Sequence, residues 1–238
     1  MSLIIAMATS EGIVAAADTR TTISSNGLTR YLDGTQKLHP VYGKGVILHC
    51  IDNKFQDGTL VGQFVEEYIQ REINPTRGIK IGEIAYGILN KTVIKDKNAD
   101  VVYLIAGFEE GACYIYRVKT KSKECICEFS GNKKGASFAG LTDICSAILN
   151  QCDYTNMLLK HGVRLCECAL YATHIAYLHK KDKKQGVSAQ FDIYIIDEFG
   201  NRTGWVTDNH NICQTSMPKQ IAGVSGQNTF KPGKEKLL

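Results

Sequence analysis

The stretch MSLIIAMATSEGIVAAADTRTT, residues 1–22, decides how the chain is read. A small hydroxyl residue, Ser2, leads at once into LIIAMAT (3–9), and IVAAAD begins at Ile13 after the turn Ser10-Glu11-Gly12. These runs predict a hairpin over 3–9 and 12–17. Both are almost wholly apolar, which predicts a sheet covered on both faces. At the far end of the second strand stand Asp18, Thr19 and Arg20. A terminus that is built into a buried strand, with a carboxylate and a cation beside it, is a candidate for chemistry.

The rest of the composition narrows the class. The chain has 238 residues, 44% hydrophobic and 22% charged, which suits one large soluble globular domain. A net charge of +4 is too small, and its lysine runs (119–123, 179–184) too dispersed, for a nucleic-acid face. The nine cysteines give two C-x-C pairs, Cys125/Cys127 and Cys166/Cys168, without C-x-x-C knuckles or a paired His motif. They read as reduced thiols rather than metal ligands or a disulfide framework, so no metal or cofactor is expected and the compartment is expected to be cytoplasmic. No run of 18 apolar residues predicts a membrane span.

Along the chain, strands are expected at 35–39 and 46–51, helices over 58–73 and 81–94, strands at 101–108 and 112–118, helices at 143–152 and 163–180, and a last strand pair at 191–197 and 203–207. Paired helices between blocks of antiparallel strands predict an α+β class, a four-layer αββα sandwich of two sheets with a helix pair outside each. No linker breaks residues 1–209, and periodicity is lost over 210–238, read as a C-terminal tail.

This plan, with Ser2 at the start, GIVAAADTRTT at 12–22 and DGTQKLHP at 33–40, resembles the N-terminal nucleophile hydrolases, and within them the proteasome β subunits and bacterial proteasome-like ring peptidases. The resemblance covers residues 2–207. It implies a peptidase whose catalytic residues are Ser2 as nucleophile, Lys37 as activating cation and Asp18 as its orienting carboxylate, with Arg20 in support. A hydroxyl is a weak nucleophile unless a base adjoins it, and an N-terminal residue carries its own, an α-amine with a pKa of about 7.7–8.0. Removal of Met1 would free it, without a longer propeptide. The resemblance further implies Ile51 at the oxyanion position, Thr22, Thr35, His49 and Asn53 along the substrate, and Thr142 and Asp182 near the amine. It implies other β-type subunits in a ring, peptide or unfolded protein as substrate, and an ATPase unfoldase as partner.

Some residues depart from that pattern. Ser replaces the family's usual Thr; Ile51 stands where a glycine is usual; Gln185 stands where a serine would follow Asp182, with Ser188 the nearest substitute. Two alternatives therefore stand beside the peptidase: a non-catalytic subunit of such a ring, and an amidase of the same fold acting on a small amide.

Overall fold

The computed structural model describes residues 2–25, 28–74, 80–178, 186–198, 203–206 and 212–213. Strands β1 (Leu3–Ala8) and β2 (Gly12–Asp18) form the hairpin at its centre. They belong to a six-stranded antiparallel sheet in the order β10-β1-β2-β11-β12-β13, where β10 is Gly135–Gly140, β11 Phe191–Asp197, β12 Thr203–Val206 and β13 Ile212–Cys213. A five-stranded antiparallel sheet runs β5 (Leu38–Val41), β6 (Gly45–Ile51), β7 (Val101–Glu109), β8 (Ala112–Lys119), β9 (Glu124–Gly131). Strands β3 (Thr21–Ser25) and β4 (Leu28–Leu32) pair as a separate ribbon. The helices are α1 (Val61–Glu72), α2 (Ile81–Lys95), α3 (Asp143–Leu149) and α4 (Leu159–Leu178).

The expected four-layer αββα sandwich is corrected by this topology: the described chain is sheet-rich, with three antiparallel sheets and four helices. The polar run after Asp18 does not extend either large sheet. Its strands TTISS and LTRYL satisfy their backbone groups on each other instead. Strand 35–39 also begins later than expected, at Leu38, because Thr35 is drawn off to donate its backbone N–H to Thr19 O, at 2.9 Å.

The period of two along β1 sets the packing. Ile4, Ala6 and Ala8 face the five-stranded sheet, in one core with Leu38, Val46, Leu48, Leu104 and Ile115. Leu3, Ile5 and Met7 face the other way, in a second core with Cys145, Leu149, Val163, Cys166 and Leu170 of α3 and α4. A third core joins Ile47, Tyr103 and Ile105 to Val61, Val65, Ile84 and Ile88 of α1 and α2. The alanines of β1 and β2 keep the strand side chains short where the sheets meet, which brings β2 close to the start of β5. On α1 the buried stripe is Val61, Val65, Tyr68 and Ile69, whereas Leu60 is half exposed just before the helix. Gly62 lets this helix sit tight on β5 and β6: a Cβ there would lie 3.3 Å from Gln36 O and 3.5 Å from the rings of His39 and His49.

Candidate active site

Three chain segments converge on one carboxylate. Hairpin pairing of β1 with β2 sets Leu3 beside Asp18, and the Leu3 N–H donates to Asp18 Oδ1 at 2.8 Å. Arg20 N–H donates to Asp18 Oδ2 at 3.0 Å, as does Ser188 N–H at 3.5 Å. Lys37, just ahead of β5, then reaches across from the other sheet. Its ammonium lies 2.9 Å from Asp18 Oδ1, donates to Ser2 Oγ at 2.8 Å, and also donates to the carbonyl of Arg20. Lys37 is 2% exposed, Asp18 0% and Ser2 8%. Burial pushes the Lys37 ammonium below its usual range, and Asp18 partly opposes that shift. A hydroxyl, a buried cation and a carboxylate that pairs with it are thus held together away from water.

The backbone of Ser2 is fixed from a third side. Leu141 N–H donates to Ser2 O at 2.8 Å, next to Gly140 at φ +102°, where a Cβ would stand 1.8 Å from that same oxygen. Only glycine fits there. Ser188 braces the Asp18 turn: its Oγ accepts from Thr19 N–H at 3.1 Å, lies 3.1 Å from Thr19 Oγ1, and donates to Gln190 O.

Arg20 leaves the cluster. Its backbone serves Asp18, but its guanidinium turns outward to a two-bond pair with Asp33, at 2.8 and 3.0 Å, and lies over the Tyr31 ring. That pairing raises the Arg20 pKa and lowers that of Asp33.

The other sequence-derived positions are spread around this centre. His49 N–H donates to Lys37 O at 3.0 Å, so β6 runs beside the lysine, and Ile51 ends that strand at φ +79° with 49% exposure. Asn53 lies in the following loop, where its carbonyl accepts from Val61 N–H at 3.0 Å and seats the start of α1. Thr22 lies in β3 opposite Tyr31, and Thr35 is held against Thr19 by its backbone. Thr142 adjoins Leu141 and caps α3, its carbonyl accepting from Ser146 N–H. Asp182 and Gln185 lie outside the described residues.

Sequence reasoning named His49 but passed over its buried partner. His39 stacks on His49 with ring centroids 5.4 Å apart. Both are almost fully buried, and none of their four ring nitrogens has a hydrogen-bond partner among the described residues. Glu66 of α1 approaches His39 Nδ1 at 3.6 Å, too far for a hydrogen bond. Burial, His39 and Lys37 together hold the His49 pKa well below 6.5. Asp192 of β11 is shifted upward by burial, against the pull of His39 and Lys37. The H-x-x-x-x-x-x-x-x-x-H spacing carries no motif, so only the pairing of β5 with β6 reveals the contact. Among the described residues no group of three or more His, Cys, Asp or Glu is placed to hold a metal ion.

No family model matches the sequence, and no curated protein does. Solved structures do match. Anbu from Hyphomicrobium sp. strain MC1, as its Gly-1 mutant, superposes with a TM-score of 0.63 at 15% identity, covering 88% of each chain. Anbu (ancestral beta-subunit) from Yersinia bercovieri superposes with a TM-score of 0.62 at 14% identity, over 87% of this chain and 88% of that one. The chain folds like Anbu. The expected assignment to the proteasome β subunits and their bacterial ring-peptidase relatives is corrected by these matches, and at such identity the likeness to Anbu concerns the fold alone. The physical reason is that the motifs behind that assignment are short. Here the packing of the β1–β2 hairpin on the second sheet brings a carboxylate ending β2 and a lysine ahead of β5 together, a contact that does not single out one family within the fold.

Proposed function

We propose that the chain hydrolyses amide bonds in peptides, with Ser2 as nucleophile once it has become the first residue. The observation that carries this reading is the buried Ser2–Lys37–Asp18 contact set, at 2.8 and 2.9 Å. The freed α-amine takes the proton from Ser2 Oγ as the oxygen attacks the amide carbon and the C–O bond forms. Lys37, donating to Oγ, favours the oxyanion character of the nucleophile, and Asp18 holds the lysine in place. The amine returns the proton to the leaving nitrogen as the C–N bond breaks. Water then cleaves the acyl ester in the reverse sense.

The β6 ladder supplies the remaining part. His49 donates towards the β5 side, and alternation gives the Ile51 N–H the same direction. Strand β5 begins only at Leu38, which pairs with Leu48, so no β5 residue stands opposite Ile51. That N–H is the donor for the carbonyl oxygen in the transition state. The Anbu of Yersinia bercovieri is described as an ancestral beta-subunit. This supports assembly of the present chain with copies of itself, or with related β-type subunits, in a proteasome-like ring. Asp182 and Thr142 would complete the surroundings of the amine, Thr22, Thr35, His49 and Asn53 would line the substrate groove, and an ATPase unfoldase would deliver chains. Cys50, Cys113, Cys125, Cys127, Cys145, Cys152, Cys166 and Cys168 are free, which fits a reducing cytoplasm.

The test is intact mass before and after a peptide epoxyketone, a reagent that closes a ring on a hydroxyl and an α-amine of one residue. Loss of Met1 and one adduct, absent in Ser2→Ala, is the expected result. Retained Met1, or no adduct with several peptides, overturns the reading. A second reading, a non-catalytic subunit of such a ring, is favoured by one observation, the branched and half-exposed side chain of Ile51 at the end of β6, where the resemblance implies a glycine.

A further inference from the structure

The two buried histidines call for an account that the Ser2 cluster does not supply. Their rings stack with planes 19° from parallel, and none of the ring nitrogens has a hydrogen-bond partner among the described residues. Buried polar groups left without partners are uncommon and costly. The cover over both rings is the first turn of α1: a Cβ on Gly62 would lie 3.5 Å from His39 Cε1 and 3.5 Å from His49 Nε2. That turn is lightly fastened. Leu60 at its N-cap makes no side-chain cap, and no acidic residue stands in the turn. A backbone bond from Val61 N–H to Asn53 O ties it to the preceding loop. The charged groups that face the pair do little to offset a proton on it. Glu66, on the second turn of α1, stands 3.6 Å from His39 Nδ1 but is half exposed. Lys37, already cationic, acts on His49 through space, and its carbonyl accepts the His49 N–H. Asp192 of β11 feels both His39 and Lys37, but burial disfavours its charge.

We propose that the His39–His49 pair is an acid-sensitive latch on the first turn of α1: two neutral rings keep the turn seated on β5 and β6, and a proton on the pair favours the opened turn. With the turn closed, an imidazolium is sealed from water beside a second imidazole, with Lys37 close by. With the turn lifted, water solvates both rings, and their ordinary affinity for a proton, near pH 6.5, returns. The state that binds protons more tightly gains as pH falls, and that state is the opened one. Only a local opening is required, because the cover is one helical turn rather than a sheet. The downward shift of His49 has the sign that this demands. The latch does not depend on Ser2 being a nucleophile, although it lies directly behind the backbone of Lys37.

Amide hydrogen exchange of the full chain at pH 7.5 and 5.5, corrected for the intrinsic pH dependence of exchange, is the test. Residues 64–66 report the latch, since the Phe64 N–H donates to Leu60 O and the next two amides donate into the same turn. Their protection is expected to stay below that of β2 at both pH values, and to fall about tenfold or more from pH 7.5 to 5.5. The double variant His39→Phe/His49→Phe keeps two flat rings without a proton site, and is expected to lose that fall. Glu66→Gln, at a half-exposed position, keeps the test decisive if the double variant does not fold. It removes the carboxylate beside His39 and is expected to show the same fall or a steeper one. Protection over 64–66 equal to that of β2 overturns the latch, because the turn then opens only with the whole fold. An undiminished fall in the double variant, or a shallower one in Glu66→Gln, overturns it as well.

Discussion

Asp18 and Arg20 leave the end of β2 two residues apart, and each finds one partner of opposite charge, yet the two pairs live in different surroundings. Asp18 meets Lys37 out of reach of water, with side chains 0% and 2% exposed. Arg20 meets Asp33 at the surface, with side chains 22% and 42% exposed. The outer pair has the better geometry, two parallel bonds from a planar fork. The inner pair has the greater consequence, because a partner removed from it leaves a charge that water cannot reach. Burial, rather than the quality of the contact, decides which of two neighbouring ion pairs governs stability and chemistry.

The strongest way to break this contrast is Lys37→Met. It leaves the Asp18 carboxylate buried with only backbone donors, and the expected loss is about 3–5 kcal/mol of stability in urea unfolding. Labelling of Ser2 by an epoxyketone should fall about a hundredfold or more where the variant remains folded. A loss within experimental error of wild type would show that the inner pair is no more important than the outer one.

His49 tests burial without an ion pair. Its pKa is held well below 6.5 in the folded state, so below that pH the unfolded chain binds a proton that the folded chain refuses. By linkage, stability therefore falls as pH drops below about 6.5, by up to about 1.4 kcal/mol per pH unit. Asp192, shifted upward, acts in the opposite sense at lower pH and is common to wild type and variant. Urea midpoints at pH 7.5 and 5.5 should separate for wild type and draw together in His49→Gln. Parallel behaviour of the two proteins would remove His49 from the account.

The smallest effect belongs to Arg20→Met. With Asp33 and the guanidinium both partly in water, the expected cost is below about 1 kcal/mol and shrinks further in salt. The backbone N–H of Arg20 still serves Asp18, so Ser2 labelling should stay within about threefold of wild type, a difference below about 1 kcal/mol. A larger loss of labelling would mean that the side chain, not only the backbone, supports the reactive cluster.

The same inside–outside distinction explains what the sequence made legible. β1 and β2 are readable because both faces are buried and every residue but Asp18 is apolar. The stripes of α2 (Ile81, Ile84, Ala85, Ile88, Leu89) and the apolar runs of β7 and β11 are readable for the same reason. Strand β9 was not, because ECICEFSG is a sheet edge with mixed exposure, and neither was β10, whose GASFAG is small and takes its strand form from pairing with β1. The third sheet was hidden in two short runs, TTISS and LTRYL, whose backbones pair with each other rather than with either large sheet. In the candidate site, Ser2, Asp18 and Lys37 were named through a resemblance carried by two short segments, and the structure brings their side chains together. The His39–His49 stack and the Ser188 brace could not be read that way, since each joins residues through sheet pairing or across some 170 positions. Ile51 was legible as a residue out of place, but its strained backbone was not.

Gly140 has a consequence of another kind. It has no side chain that could react, yet it leaves no space for one against the first strand. In a survey of every possible substitution it would prove as intolerant as Ser2 or Lys37, and growth or abundance alone would rank the three together. Only a readout that separates the amount of folded protein from its reactivity per molecule would tell the hinge pin from the blade.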